Sequence, residues 1–359
     1  MKFIHCADIH LGSAHTSLPS DKAVIRKDEI LSTFERLCDY AKANSVSAVI
    51  IAGDLFDEHR VTKKILDRVV NSISKCEGVD FLCLFGNHDE VNPLTNREDL
   101  PCNFKIFTNE WTAFRYGNVV IYGVCFDGLN HKTVSASFNA NKNDVNVVVM
   151  HGAVGNYIST EDAYRISLPS FKDKNVDYIA LGHYHTFALE RLDARGVYAY
   201  SGCLEGRGFD ETGEKGFVMI DVDGSKVNTQ FTPFANRKIY TVEYTLNSQE
   251  DWLYNRAEIL SYLQKEIDSK SLIKLIIRGD RNLTAFADFN ELTARLNELF
   301  FFAKIEDKTT VKIDPSSYEN DKSIKGEFIR LVYASELSEQ EKSMVLSCGL
   351  NALDGEDLL

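Results

Sequence analysis

Two histidines that could bind a metal ion, His183 and His185, follow directly on the apolar run at 176–181. Residues two positions apart on extended backbone point the same way, so both imidazoles can face one site just past the end of a buried strand. Gly182 ends the run and lets the backbone turn tightly. Imidazole is a common metal ligand, although such a pair also occurs as two ordinary polar histidines. The pair therefore needs support from the rest of the chain.

Four other predicted strands end in residues of the same chemical kind. In chain order these residues are Asp8 with His10, Asp54, Asn87 with His88, and His151. Because ligands of open α/β sheets bind at the carboxyl ends of the strands, we expect the five strand ends to meet in one crevice. Imidazole nitrogens and carboxylate oxygens suit divalent ions such as Mn²⁺, Fe²⁺ and Zn²⁺. No thiolate joins the set, which argues against a structural zinc site.

These candidate ligands exceed the needs of a single ion, so the sequence predicts two ions that share one carboxylate. Asp54 is the natural bridge, because a carboxylate has two oxygens and a neutral imidazole has one lone pair. Two such ions can clamp a phosphate and activate water for in-line attack. The alternative is a set of satisfied core histidines and helix caps. It is disfavoured for five strand ends together, since buried charge without a partner is costly.

The first part of the chain, residues 1–235, is predicted to carry this crevice. It opens with the β-α-β-α-β pattern of a layered α/β sheet, with helices near 22–44 and 61–75. Residues 92–117 are predicted to be mostly loop, and further strands follow. The architecture expected here is a β-sandwich flanked by helices.

The rest of the chain is predicted to form a smaller α+β domain and a helical tail. Strands and helices alternate over residues 236–315, residues 315–323 form a linker, and two short helices occupy 324–359. The tail has three Lys or Arg and seven Asp or Glu, so any partner must bind its apolar faces. Those faces could equally pack on the chain's own body.

The composition restricts how the chain can meet its substrate. Lys and Arg number 40 against 53 Asp and Glu, which gives a formal net charge of −13. Such a chain does not bind nucleic acid by bulk charge, so metal ions or a partner must supply the positive field. Eight scattered cysteines without a C-x-x-C motif indicate a reducing, cytoplasmic location. No run approaches the ~18 apolar residues of a membrane span, and no secretory leader is visible.

The strand-end motifs resemble, in order, those of the calcineurin-like metallophosphoesterase superfamily. They are Asp8-x-His10, Gly53-Asp54, Gly86-Asn87-His88-Asp89, His151-Gly152 and Gly182-His183-x-His185. The resemblance implies that Asp8, His10 and His185 bind one metal ion. It further implies that Asn87, His151 and His183 bind the other, with Asp54 as the bridge. His88 would then stabilise or protonate the leaving oxygen, oriented by Asp89, which suits a departing alkoxide.

Within the superfamily the chain is similar to the SbcD-type DNA repair nucleases. This resemblance rests on Asp8-Ile9-His10-Leu11-Gly12, on Gly53-Asp54-Leu55-Phe56-Asp57 and on the small added domain. It implies a DNA exonuclease or endonuclease subunit with two ions, Mn²⁺ first and Fe²⁺, Zn²⁺ or Mg²⁺ as alternatives. It also implies a capping domain that helps to select DNA, a homodimer, and a C-terminal segment that binds an SbcC-like coiled-coil SMC-type ATPase. Some archaeal and eukaryotic relatives have His at the position of Asp57. The bacterial form is similar to this chain at that position.

Two other functions remain open at this point, and one further residue is a candidate. The chain could be a small-molecule phosphodiesterase or phosphatase of the same superfamily, or a DNA-tethering subunit with little activity. Arg207 could contact a substrate phosphate, although a surface-loop arginine is the simpler interpretation.

Overall fold

The computed structural model describes residues 1–57, 61–86, 94, 97–125, 134, 137–155, 164–282, 288–313 and 315–353. The chain forms two compact units, Met1–Lys238 and Ile239–Leu359. The predicted capping domain and helical tail both belong to the second unit. The domain boundaries derived from the sequence stay predictions.

The first unit is built from fourteen described strands and two long helices. The strands are β1 (Lys2–Cys6), β2 (Ala48–Ala52), β3 (Asp80–Leu84), β4 (Phe104–Ile106), β5 (Thr112–Tyr116), β6 (Val119–Gly123), β7 (Val145–His151), β8 (Ala153–Val154), β9 (Arg165–Ile166), β10 (Tyr178–Gly182), β11 (Ala188–Arg191), β12 (Val197–Tyr200), β13 (Gly216–Asp223) and β14 (Lys226–Pro233). The helices are α1 (Ser20–Ala43) and α2 (Lys63–Ser74), and a 3₁₀ turn spans Leu168–Phe171.

Two six-stranded sheets face each other in this unit. The first has the order β14-β13-β1-β2-β3-β4 and the second the order β11-β12-β10-β7-β6-β5, while β8 and β9 form a separate pair. The central strands of each sheet run parallel. Antiparallel strands lie at both edges of the second sheet and at the β14-β13 edge of the first, whereas β4 at the other edge is parallel to β3. One apolar cluster joins Phe3 and Ile50 of the first sheet to Val147 and Ala180 of the second. The predicted layered sandwich is confirmed.

Helices cover the outer face of the first sheet. In α1, the residues Ile30, Phe34, Leu37 and Ala41 recur at steps of three or four, and all are buried. They share a cluster with the outward-facing side chains of β1 and β2. The side chain of Thr62 caps α2 by accepting from the amide of Ile65. This packing fixes the sheet from which the site residues project.

The second unit contains a parallel three-stranded sheet and four helices. The strands are β15 (Ile239–Thr245), β16 (Leu272–Asn282) and β17 (Phe302–Lys312), with α3 (Trp252–Glu266) and α4 (Phe289–Leu299) between them. A 3₁₀ turn at Pro315–Tyr318 leads to α5 (Ile324–Ala334) and α6 (Glu339–Leu353). The predicted alternation of strands and helices, followed by two tail helices, is thus confirmed. Among the described residues, no helix is long and apolar enough to cross a membrane.

Candidate metal centre

The candidate ligands lie at the carboxyl ends of neighbouring strands. Asp8 follows β1 and Asp54 follows β2, and these two strands are parallel neighbours in the first sheet. His151 ends β7, and His183 follows β10, its parallel neighbour in the second sheet. The sandwich thereby brings four of the five predicted strand ends together. The residues of the fifth lie outside the described residues: Asn87, His88 and Asp89.

A first group of ligand atoms comprises Asp8, His10 and His185. One nitrogen or carboxylate oxygen from each lies within 4.8 Å of the others. The Nε2 atoms of the two histidines are 3.3 Å apart, and Nε2 of His185 lies 3.8 Å from Oδ1 of Asp8. Asp8 and His10 are fully buried.

A second group adjoins the first and comprises Asp8, Asp54 and His151, again with ligand atoms within 4.8 Å of one another. Oδ2 of Asp54 lies 3.5 Å from Nε2 of His151 and 3.7 Å from Nε2 of His10. Asp8 therefore belongs to both groups, and one Asp54 oxygen lies between a histidine of each. The His183 ring is half-buried and packs edge-on against the His151 ring, with centroids 5.3 Å apart.

This donor set fits divalent metal ions. Ligands at about 2.1 Å from one ion are separated by roughly 3.0–3.5 Å, close to the spacings within the two groups. Two neighbouring carboxylates, Asp8 and Asp54, are almost completely buried, which is costly without a nearby cation. Burial raises the pKa of Asp8, and the charge of Asp54 adds to this, whereas His185 and His151 oppose it. A bound cation would favour the ionised form of Asp8.

The backbone at the candidate ligands adopts a conformation that most residues avoid. The φ angles are 51° at Asp8, 49° at His10, 53° at Asp54 and 97° at His183. Such left-handed residues cluster at functional sites, where the surrounding structure must hold them in place. Here the amide of His10 donates to the carbonyl of Asp54 at 2.9 Å, and the amide of His183 donates to both Asp8 oxygens at 3.0 Å. The turns therefore stabilise one another across the sandwich.

His151 and His185 are each oriented by a contact of the Nδ1 atom of the ring. Nδ1 of His151 lies 2.9 Å from the carbonyl oxygen of Ala52, which can only accept, so Nδ1 carries the proton. Nδ1 of His185 lies 2.8 Å from Oε1 of Glu211. Both contacts leave Nε2 directed at the carboxylates as a potential ligand atom.

Glu211 was not found by sequence reasoning, because it lies in an irregular loop outside every motif. It is buried, and Arg207 donates to its Oε1 from Nε at 3.1 Å and from Nη2 at 2.8 Å. Burial alone would raise the pKa of Glu211, but the hydrogen bond with His185 and the Arg207 charge hold this pKa well below its usual range. Arg207 thus contacts Glu211, the residue that orients the candidate ligand His185. The predicted contact of Arg207 with a substrate phosphate stays a prediction.

A family model described as calcineurin-like phosphoesterase matches residues 1–187, more than half of the chain. The protein belongs to the calcineurin-like phosphoesterase family. The matched range contains the ligand groups described above, and the predicted superfamily is therefore confirmed. Members of this metallophosphoesterase family are hydrolases that use divalent metals.

Curated relatives of this phosphoesterase include two archaeal DNA double-strand break repair proteins named Mre11. The protein from Methanopyrus kandleri is 28% identical over 287 residues, which cover 71% of this chain and 62% of that protein. The protein from Saccharolobus solfataricus is 27% identical over 372 residues, which cover 96% of this chain and 93% of that protein. The metallophosphoesterase YhaO of Bacillus subtilis is 25% identical over 245 residues, with coverages of 64% and 60%. The chain thus aligns with less than two thirds of the M. kandleri and B. subtilis proteins.

Two glycines of the family motifs leave space that the site needs. Gly53 has a φ of 95°, and a Cβ atom there would lie 2.1 Å from Nδ1 of His151. Gly182 was expected to permit a tight turn, but the left-handed residue is His183. A Cβ at Gly182 would lie 1.9 Å from the carbonyl oxygen of Ala52, so Gly182 is needed for close approach of the two sheets.

Gly53→Ala is expected to displace His151 and to lower both stability and metal affinity. Gly78→Ala is the matched control, since Gly78 has a similar φ of 82° and nothing within 4 Å of the added Cβ. Both variants incur the backbone strain, and only Gly53→Ala adds the clash. We expect the urea midpoint and the Mn²⁺ affinity of Gly53→Ala to fall below those of Gly78→Ala. Equal values for the two variants would refute the close-approach role of Gly53.

Glu211→Gln is expected to weaken Mn²⁺ binding about tenfold or more, since loss of a carboxylate that orients a ligating histidine has this effect. The amide keeps the size of the side chain and removes its charge. Glu214→Gln is the control, because the Glu214 carboxylate is exposed and pairs with Lys238. Calorimetric titration of the metal-free chain measures both affinities. An unchanged Mn²⁺ affinity in Glu211→Gln would show that this carboxylate does not support His185.

Proposed function

We propose that this phosphoesterase is a two-metal phosphodiesterase that hydrolyses DNA phosphodiester bonds, as an exonuclease or endonuclease of the SbcD type. The observation that carries the proposal is the sharing of carboxylates between the ligand groups. Asp8 belongs to both groups, and one Asp54 oxygen lies within 3.7 Å of His10 and 3.5 Å of His151. This arrangement suits a pair of ions better than one ion. Relatives named as DNA double-strand break repair proteins support DNA as the substrate.

In this proposal, Asp8, His10 and His185 would hold one metal ion and Asn87, His151 and His183 the other, with Asp54 as the shared ligand. Asp8 also lies within ligand distance of the second group. Mn²⁺ is the expected ion, with Fe²⁺, Zn²⁺ or Mg²⁺ as alternatives, because the donors are nitrogen and oxygen without sulfur. Two such ions supply charge neutralisation of the phosphate and an activated water.

The chain's own residues orient the metal ligands and assist the leaving group. Glu211 fixes the His185 ring, and the carbonyl of Ala52 fixes the His151 ring. His88 would stabilise or protonate the leaving sugar oxygen, and Asp89 would orient its imidazole. Both of these last roles derive from the motif Gly86-Asn87-His88-Asp89 in the sequence.

We further propose a cytoplasmic nuclease subunit that works as a homodimer with an SbcC-like coiled-coil SMC-type ATPase. The segment 324–359 is the proposed binding site for the ATPase. Exposed apolar side chains on its helices support this role: Ile324 and Leu331 on α5, and Met344 on α6. The eight free cysteines support a reducing compartment.

The test is Mn²⁺-dependent cleavage of end-labelled single- and double-stranded DNA by the purified chain. Asp54→Ala and His88→Ala should both abolish cleavage, while Asp223→Ala, at an exposed hairpin turn, should not. Bis-p-nitrophenyl phosphate serves as a substrate without a nucleoside. Hydrolysis of this ester without DNA cleavage, even with the ATPase present, would favour a small-molecule phosphodiesterase. Two bound ions without any hydrolysis would favour the DNA-tethering function.

A further inference from the structure

The segment His183-Tyr184-His185, which carries two candidate ligands, is held at its two ends by buried charged groups of opposite sign. At its start, the amide of His183 donates to both carboxylate oxygens of Asp8 at 3.0 Å. At its end, the carbonyl oxygen of His185 accepts from Nζ of Lys215 at 2.6 Å. Hydrogen bonds with an ionised partner are about twice as strong as neutral ones. Asp8 is itself a candidate ligand, whereas Lys215 has no part in the proposed metal chemistry.

Lys215 is a buried lysine whose ammonium group contacts main chain rather than a carboxylate. The residue is only 3% exposed. In the described part of the chain it forms no ion pair, and its Nζ has one hydrogen-bond partner, the carbonyl of His185. Burial of an ammonium group is costly unless the group is hydrogen-bonded. The contact that offsets this cost is therefore made to a candidate metal ligand.

The main chain of Lys215 is fixed at the end of the first sheet that carries the candidate ligands. Lys215 directly precedes β13, which runs antiparallel to β1, so it lies at the carboxyl end of β1. Its carbonyl oxygen accepts from the amides of Phe234 at 2.8 Å and Ala235 at 3.1 Å. Gly216, the next residue, permits this close approach, since a Cβ atom there would lie 2.0 Å from the carbonyl oxygen of Thr232. The ammonium group thus extends from an anchored backbone.

The other contacts of the His185 carbonyl are longer than the contact with Lys215. The amide nitrogen of Cys203 lies 3.4 Å from this oxygen, and Sγ of Cys203 lies 3.6 Å from it. Glu211 holds the imidazole ring of the same residue through Nδ1 at 2.8 Å. His185 is therefore fixed at its ring by one side chain and at its main chain by another. Because His183 in the same turn has a strained φ of 97°, loss of the main-chain contact should let the turn relax.

We propose that Lys215 is a positioning residue of the metal centre, whose ammonium group fixes the main chain of His185 and thereby both candidate ligands of the segment 183–185. Lys215 contacts the carbonyl of His185 and acts on the ring nitrogens only through the turn. The inference rests on the proposed function in one respect, since it takes His183 and His185 to be metal ligands. It does not require DNA as the substrate.

The first test follows the turn itself, without metal or turnover. Lys215→Met keeps the unbranched stem of the side chain and removes the ammonium group, and Lys226→Met, at the exposed start of β14, is the matched control. Hydrogen exchange of the metal-free chain is measured by mass spectrometry. We expect amides in peptides that cover 183–187 to exchange about tenfold faster in Lys215→Met than in the wild type and in Lys226→Met, with exchange in β7 unchanged. Equal exchange at 183–187 in all three proteins would overturn the proposal.

The second test measures metal binding and separates positioning from general stability. Calorimetric titration should give Lys215→Met an Mn²⁺ affinity about tenfold below that of the wild type, the effect of losing a group that orients a ligating histidine. Leu37→Ala leaves a cavity in the apolar cluster beneath α1. It should lower the urea midpoint and leave the Mn²⁺ affinity within about twofold. A wild-type Mn²⁺ affinity in Lys215→Met, at any urea midpoint, would overturn the proposal.

Hydrolysis of bis-p-nitrophenyl phosphate distinguishes failure of this inference from failure of the proposed function. At saturating Mn²⁺, Lys215→Met should lower kcat about tenfold and leave KM within about twofold, because Lys215 is buried and acts on the ligands rather than on the substrate. If the wild type cleaves DNA and Lys215→Met keeps the wild-type Mn²⁺ affinity and kcat, the role of Lys215 is wrong and the nuclease function stands. If the wild type hydrolyses this ester but not DNA, and Lys215→Met shows the expected losses, DNA is the wrong substrate and the positioning role stands.

Discussion

Asp8→Asn is expected to remove both bound ions and to lower hydrolysis of bis-p-nitrophenyl phosphate at least about 10³-fold. Asp8 supplies a ligand oxygen to both groups, so its loss affects each ion. Both of its oxygens also accept from the amide of His183 at 3.0 Å, and asparagine keeps only one of these two acceptors, because its NH₂ group donates. The substitution therefore disturbs the turn that carries His183 and His185 as well.

Metal content after Mn²⁺ loading and dialysis, measured by inductively coupled plasma mass spectrometry, gives the direct readout for Asp8→Asn. Asp223→Asn, in the exposed hairpin turn, is the matched control and should retain the metal content of the wild type. His185→Ala should lose chiefly the ion of the first group. If Asp8→Asn keeps two ions per chain, the shared role of Asp8 is wrong.

Arg26→Met is expected to have the largest effect on stability, about 3–5 kcal/mol, because it leaves a buried carboxylate without its cation. Arg26 is fully buried, and its Nη2 donates to Oε2 of Glu205 and to the carbonyl of Gly206, each at 2.8 Å. Glu205 is equally buried and also accepts from Oγ1 of Thr33 at 2.8 Å and from the amide of Asn236. This network anchors the loop that carries Glu211 to helix α1.

Urea unfolding of the metal-free chain measures the free energy of unfolding of Arg26→Met. Arg115→Met is the control, since Arg115 forms an exposed ion pair with Asp144 and should change stability little. The double variant Arg26→Met with Glu205→Gln should recover part of the loss, because no charge is then left buried. A free energy of unfolding like that of the wild type in Arg26→Met would contradict the anchoring role of this pair.

The sequence was sufficient to locate the site because its residues follow apolar runs that are buried on both faces. Such runs are recognisable as strands, and the rule that ligands bind at their carboxyl ends then brings Asp8, Asp54, His151 and His183 together. The structure adds that Asp8 contributes to both ligand groups. The sequence had indicated Asp54 alone as the shared carboxylate. The distances between the ligand atoms depend on the left-handed turns at these residues, and the sequence pattern does not specify such turns.

Other features were missed for identifiable physical reasons. The strands Phe104–Ile106 and Thr112–Tyr116 lie at sheet edges within a region predicted to be mostly loop, and they are short and only partly buried. Glu211 is brought to His185 by a loop whose course depends on the buried Arg26–Glu205 pair. Contacts between residues this far apart in sequence carry no local signal.

The most direct test of a shared two-metal centre is electron paramagnetic resonance of the Mn²⁺-loaded chain. Two ions joined through the Asp54 carboxylate are expected to give the spectrum of a spin-coupled pair, and Asp54→Ala should lose this coupling. A spectrum of isolated Mn²⁺ alone, at full loading of the wild type, would contradict the shared centre and with it the proposed mechanism.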